Sequence, residues 1–333
     1  MKPRRGVRPA IDLQERRTFL GILSGAVASL TRAQAHAKSA EPQSRAPRIR
    51  HANDGSPIIK IYNSTWALRG LPRGEKEWSL EEKLTRVKDA GFEGIETEDI
   101  LENEQHSVGL IRKLGLDLGM GSSKILHSAK EVREGLETCK RTGARYYVIV
   151  AGDAFMSDEA AAALVKDSIQ ASADLGVPLL FETHRRSLTE SCYRVLKLID
   201  RVPEMRFCAD LSHFVVSGSF GGASLQEWMQ RWDPILDRSD SLQCRISNGE
   251  QVQVDVGDGS SKLAQKWVEL WAEILRRWRK RAQPGDFFPV TSELGPPNYS
   301  IVDRNGVEIS DRWQQSLVMK RLTEQAWAMA GKS

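Results

Sequence analysis

The sequence predicts an α/β fold, a single-domain (βα)8 barrel, on three observations. From residue 57 onward, short apolar runs alternate with amphipathic segments eight times. The runs are rich in β-branched and aromatic residues and lack the alternation of a half-exposed sheet, as strands buried on both faces require. Three runs end in an acid followed by small or polar residues: Phe181-Glu182-Thr183-His184-Arg185, Asp210-Leu211-Ser212-His213 and Ser292-Glu293-Leu294-Gly295-Pro296-Pro297. That is how a parallel strand delivers a carboxylate to the rim of a barrel.

The elements follow in order. The first strand is read at 58–62. Ser79 and Glu82 have capping-box spacing. Leu80, Leu84, Val87 and Ala90 give the helix behind them one buried face, and Gly91 ends it. Strand two is expected at 94–98 with a helix across 105–114, and strand three at 116–122 with a helix across 129–142 closed by Gly143. The β-branched run 146–151 makes strand four, and the alanine-rich helix 157–175 stops at Gly176. Strand five spans 177–181, and a helix over 189–201 ends before Pro203. Strand six lies at 207–210, a helix around 225–231 leads to strand seven at 241–246, and a polar loop covers 247–260. Helix 262–281, strand eight at 287–292 and helix 311–330 complete the series. Trp267, Trp271 and Trp278 recur at helical spacing, which reads as packing onto the barrel. Trp66, just past strand one, falls instead on the rim where ligands sit.

The first 37 residues read as an export signal rather than fold. Lys2, Arg4, Arg5 and Arg8 precede Arg16-Arg17-Thr18-Phe19-Leu20, a twelve-residue apolar run to Leu30, and an Ala-x-Ala site at Ala33–Ala37. The adjacent arginines point to the twin-arginine route and a periplasmic or secreted protein. The run is too short to span a membrane. Residues 38–56, rich in Ser, Pro, Ala and charge, read as a flexible or surface-hugging leader, leaving 57–333 as the barrel. The signal holds seven basic and two acidic residues, so a chain of net +4 becomes −1 without it. That balance gives no bulk attraction for nucleic acid, and a signal-free chain has no membrane anchor. Cys139, Cys192, Cys208 and Cys244 contain no CxxC pair, and buried free thiols are expected.

In a parallel barrel the carboxyl ends of the strands form the active face. There, strand five offers Glu182 and His184, strand six Asp210 and His213, strand seven Gln243 and Arg245, and strand eight Glu293. Three buried acids at one mouth repel each other and need a cation or a shared proton. Hard oxygen ligands of this kind suit a divalent metal such as magnesium or manganese.

These motifs, with Arg245 and the Gly249–Gln253 loop, resemble the xylose isomerase-like TIM barrels, the sugar isomerase/epimerase superfamily, and its secreted members most of all. The resemblance runs from strand one to strand eight. It implies one divalent ion (Mn, Mg, Co or Zn) held by Glu182, Asp210, Gln243 and Glu293. It implies Glu182 and Glu293 as the proton-transferring pair, His184 and Arg245 as substrate contacts beside Trp66, and His213 as a contact to substrate or, in some branches, to the metal. The family has histidine where this chain has Gln243, a weaker ligand; Gln251 and Gln253 offer extra polar contacts. The implied activity is isomerisation or epimerisation of a free sugar or oxidised sugar derivative through an enediolate. The same site read as a lyase would eliminate from 3-keto-glycosides, and Gln243 favours a third reading, a non-catalytic carbohydrate-binding barrel. The family's endonuclease branch needs a histidine-rich trinuclear zinc site that two rim histidines do not supply. The partner implied is a small carbohydrate; the sequence leaves homo-oligomerisation open.

Overall fold

The computed structural model describes residues 46–51, 55–99, 102–218 and 225–332. Eight parallel strands close in sequence order: β1 (Ile58–Ser64), β2 (Gly94–Glu98), β3 (Asp117–Gly121), β4 (Tyr147–Ile149), β5 (Leu179–Glu182), β6 (Phe207–Ala209), β7 (Ser239–Cys244) and β8 (Phe287–Ser292). β8 pairs back onto β1, with Ile58 opposite Phe287 and Asn63 opposite Ser292. Nine helices lie among the described residues: α1 (Leu80–Asp89), α2 (Glu104–Lys113), α3 (Ala129–Thr142), α4 (Asp158–Leu175), α5 (Cys192–Arg201), α6 (Leu211–Gly218), α7 (Leu225–Leu236), α8 (Lys262–Arg279) and α9 (Arg312–Ala330). The expected (βα)8 barrel is the observed one.

Local chemistry sets the helix boundaries. Ser79 and Glu82 form the reciprocal capping box on α1. Gly143 and Gly176 end α3 and α4 in the left-handed conformation that glycine adopts without strain. The three tryptophans of α8 are all buried, and each contributes about 1.5–3 kcal/mol of apolar burial. Cys139, Cys208 and Cys244 are buried free thiols, and Cys192 is a half-buried one.

Strand boundaries shift by a few residues, as at β7, which runs Ser239–Cys244 rather than 241–246, and three helices differ from the sequence reading. α6 follows β6 directly, where the sequence reading assigned no helix; Asp210 accepts from the Ser212 backbone at 3.1 Å, and Leu211, Phe214 and Val215 bury one face of this short helix. α7 continues to Leu236 through Pro234, because Ile235 and Leu236 are fully buried beyond it and that packing offsets the lost backbone bond. α5 begins at Cys192 rather than at residue 189. Thr189 is otherwise engaged, its hydroxyl donating to Glu182 O at 2.5 Å and accepting from His184 N at 3.0 Å.

The barrel interior has two zones. At the N-terminal end of the strands Tyr62, Tyr146, Val148, Leu180, Cys208 and Phe287 form a dry cluster with Ile49. Two glycines make room for the tyrosines: a Cβ on Gly94 would sit 2.2 Å from the Tyr62 ring, and one on Gly119 2.4 Å from Tyr146. Residues 46–51 of the leader hug this end, with Phe287 N donating to Ile49 O at 3.1 Å. The export signal and residues 38–45 and 52–54 lie outside the described residues. No helix among those described is long and apolar enough to cross a membrane. Above the apolar floor the interior turns polar.

Candidate active site

A cavity of about 210 Å³ opens at the carboxyl ends of the strands. Glu182 and His184 reach it from the end of β5, Gln243 and Arg245 from β7, Glu293 from β8, and Trp66 from the turn after β1. Six of the eight side chains singled out in the sequence therefore line one chamber. Asp210 and His213 do not; they lie behind its wall, 0% and 1% exposed.

Glu182, Asp210 and Glu293 converge: each offers an oxygen within 4.8 Å of the others. One guanidinium bridges two of them, Asp210 and Glu293. Arg245 Nη1 lies 3.1 Å from Asp210 Oδ2, and Nη2 lies 2.5 Å from Glu293 Oε2. Burial pushes the Glu182 carboxyl well above the ordinary range, reinforced by Glu293 and Asp210. Burial also raises Glu293 to about 8 and raises Asp210, in both cases against the pull of Arg245. Burying like charges together favours the neutral forms.

His213 was expected to touch substrate or metal. It sits beneath His184, ring centroids 4.1 Å apart, with Nε2 3.3 Å from Arg245 Nη1, and with Glu182 and His184 it forms a second group whose ligand atoms lie within 4.8 Å of one another. Burial holds it far below the usual imidazole range. The same Nε2 lies 3.5 Å from Asp210 Oδ2, and Nδ1 is buried without a partner. His213 thus orients Arg245. His184 is also neutral, lowered to about 4 by burial and then by Arg245; its Nδ1 bonds Arg185 O and its Nε2 lies 3.2 Å from Tyr299 Oη.

The sequence reading missed several members. Glu96, from the middle of β2, lines the cavity. Its Oε2 accepts from Tyr146 at 3.0 Å and Thr291 at 3.2 Å, and its Oε1 from Gln243 at 3.4 Å. Burial raises its pKa. The missed signal was parity: Glu96 lies two residues from the inward Gly94. Tyr299 closes another wall, its ring 5.1 Å from Trp66 and 4.8 Å from the Arg245 guanidinium. Gln253 is not among the residues lining the cavity. It clamps the strand-eight loop, accepting from Gly295 N at 2.7 Å and donating to Gly295 O at 3.2 Å. Gln251 is exposed.

The donor set fits a cation. Four acids (Glu96, Glu182, Asp210 and Glu293) face one buried arginine. Gln243 donates to Glu96 and Glu293 while its own Oε1 is buried with no donor. Acids whose ionised forms are disfavoured by burial, beside an unsatisfied oxygen, are what a bound cation would stabilise.

No known family profile matches the chain, and no curated protein matches it. Solved structures do. A D-allulose 3-epimerase from Methylomonas sp. in complex with D-allulose aligns over 83% of this chain and 100% of its own, with 12% identity and TM-score 0.57. A probable 3-DHS dehydratase from Bacillus anthracis covers 80% of this chain and 99% of its own at 15% identity and TM-score 0.52. A xylose isomerase-like TIM barrel protein from Mycobacterium smegmatis in complex with magnesium covers 83% and 100% at 12% identity and TM-score 0.51. At these identities the likeness is one of architecture: the chain has the closed eight-stranded (βα)8-barrel fold of these structures.

Proposed function

We propose that the chain is a sugar isomerase or epimerase that moves a proton on a carbon next to a carbonyl, with one divalent cation assisting. The observation that carries this is the meeting of Glu182, Asp210 and Glu293 at the mouth of the barrel, with Glu182 and Glu293 on the wall of one cavity. At about 210 Å³ the chamber is smaller than the roughly 300–1,000 Å³ of drug-sized sites, which favours a monosaccharide-sized substrate.

Glu182, Asp210, Glu293 and Gln243 would hold the cation, which could be Mn, Mg, Co or Zn. Bound there, it supplies polarisation of the substrate carbonyl and stabilises enediolate charge. The protein's own groups do the rest. Glu182 takes the proton from carbon; Glu293, three strands away on the barrel wall, returns one from another direction. Return to the opposite face of the same carbon epimerises, and return to the neighbouring carbon isomerises. Arg245 holds the Glu293 carboxylate in place, and Trp66 and Tyr299 supply an aromatic wall against the sugar.

The epimerase among the similar structures, bound to D-allulose, supports this reading. The dehydratase supports a second one, since the same proton abstraction expels a leaving group on the adjacent carbon and makes a lyase of 3-keto-glycosides. Export by the twin-arginine route to the periplasm or beyond belongs to the same proposal, and cell fractionation tests it.

The deciding experiment is deuterium uptake. Protein in D2O with a divalent ion is given D-allulose, D-fructose and a 3-keto-glycoside, and carbon-bound deuterium and aglycone release are followed by NMR. Uptake is expected, reduced roughly 10²–10⁴-fold by Glu182→Gln. Aglycone release identifies the lyase. Absence of both reactions with each of the four ions would leave only a carbohydrate-binding barrel.

A further inference from the structure

We infer that Glu96 is a positioning residue that fixes the Glu293 carboxylate through the side-chain amide of Gln243. This rests on the proton-transfer reading above and adds a residue to it. Glu96 sits mid-strand on β2, buried, on the wall of the cavity. An apolar side chain would fill that inward position without penalty, whereas a buried carboxyl is costly unless it is hydrogen-bonded. Glu96 is bonded at both oxygens. Its Oε2 accepts from Tyr146 Oη at 3.0 Å and Thr291 Oγ1 at 3.2 Å, and its Oε1 accepts from Gln243 Nε2 at 3.4 Å.

The amide passes this order on to Glu293. Gln243 Nε2 has two hydrogens and two acceptors, Glu96 Oε1 and, at 3.2 Å, Glu293 Oε1. The last torsion of a glutamine is broad, so a singly held amide swings. With an acid for each hydrogen, the nitrogen stays turned toward Glu293. Arg245 Nη2 takes the other oxygen of Glu293, Oε2, at 2.5 Å. Each carboxylate oxygen therefore has its own donor. The frame behind them is stiff. Gln243 and Thr291 stand opposite one another on β7 and β8, and Gly119 leaves the space that the Tyr146 ring fills. A reacting group misplaced by about 1 Å can lose about 10²-fold in rate. Glu96 acts on that placement as a hydrogen-bond acceptor, not as a carrier of the proton.

Glu96→Met and Glu96→Gln test this in the full chain, with Tyr146→Phe as a variant that loosens Glu96 and leaves the acid in place. Glu96→Met is expected to lower kcat for deuterium uptake into D-allulose or D-fructose by about tenfold or more, the scale of a hydrogen bond to a charged group. KM should change less than about twofold. Glu96→Gln keeps an acceptor for Gln243, because the Tyr146 and Thr291 hydroxyls can accept in turn, and should hold kcat within about threefold of the parent. Tyr146→Phe should lower kcat about threefold, the scale of one neutral hydrogen bond. A Glu96→Gln protein as slow as Glu96→Met would make Glu96 a proton carrier, and a raised KM at unchanged kcat would make it a substrate contact; either result overturns the inference. The Gln243 side-chain amide gives a readout that needs no substrate. Its NMR signals, assigned by their absence in Gln243→Leu, should exchange with D2O about tenfold faster in Glu96→Met than in the parent. Equal exchange in a folded Glu96→Met protein overturns the inference too. A parent with a protected amide that takes up no deuterium into any sugar refutes the isomerase reading itself, a separate result.

Discussion

Arg245 grips Glu293 at two points, Nη2 on the carboxylate Oε2 at 2.5 Å and Nε on the backbone carbonyl at 3.0 Å. The same guanidinium reaches Asp210 at 3.1 Å. It is 1% exposed, so its removal strands two buried acids. Breaking a buried pair in this way costs about 3–5 kcal/mol. Arg245→Met should lose that much unfolding free energy in urea titrations at neutral pH with chelator present. Manganese should restore part of the loss, because a bound cation takes over the neutralisation. A variant as stable as the parent would show that the acids are already neutral through shared protons.

The loop after β8 depends on Gly295. A Cβ there would lie 2.4 Å from Trp66 Cη2 and 2.5 Å from Tyr299 Cβ, closer than carbons approach. Gly295→Ala is expected to displace that aromatic wall and to cost about 1–3 kcal/mol, the usual range for overpacking. Gln253→Ala acts on the same loop differently, removing both bonds to Gly295 and leaving a buried N–H unsatisfied at about 1–3 kcal/mol. Amide hydrogen exchange at residues 293–296 should accelerate in Gln253→Ala, while the helices keep their protection.

The barrel was legible because its strands are continuous apolar runs and most of its helices carry caps that local chemistry imposes, as at Ser79, Gly143 and Gly176. The convergence of Glu182, Asp210 and Glu293 was legible for a related reason: each ends a strand, and strand ends share one rim. What stayed hidden depends on direction within the barrel. Glu96 sits mid-strand, and only its inward parity marks it. His213 follows a strand as His184 does, yet the turn into α6 carries it behind Arg245, a rotation that spacing does not encode. Tyr299 reaches the cavity through an irregular loop with no periodicity to read. Gln253 looks like a polar surface residue, and its two bonds to one glycine come only from tertiary contact.

The cap of α3 carries a pH dependence whose sign is fixed. Glu131 accepts from Lys124 Nζ at 2.8 Å and from the His127 backbone at 2.8 Å. These bonds, Lys124 first, lower its pKa from 4.5 to about 2. A depressed carboxyl stabilises the fold above its unfolded pKa and loses that contribution as the pH falls through the folded one. The melting temperature of the parent should therefore exceed that of Glu131→Gln above about pH 5, with the gap closing between pH 4.5 and 2. The gap should be modest, because the group lies at the surface and solvent screens it. A constant gap across that range would mean that the cap works through shape rather than charge. Lys124 also lines the cavity, so the variant tests whether anchoring that lysine matters for substrate binding.

Trp66 separates binding from chemistry. Its indole stands edge-on to Tyr299 at 5.1 Å and 89°, with the Arg245 guanidinium 5.7 Å from the ring. It lines the cavity but carries no group that could move a proton from carbon. An aromatic wall holds a sugar equally well before and during proton transfer, so its loss should raise KM and leave kcat alone. Trp66→Ala is expected to raise KM roughly tenfold, with kcat changed less than about threefold, on the scale of an aromatic contact worth about 0.5–1.5 kcal/mol. Trp66→Phe should recover most of the loss. Equal falls in kcat and kcat/KM would place the indole elsewhere in the argument, as a support that keeps Arg245, and through it Glu293, in reacting position.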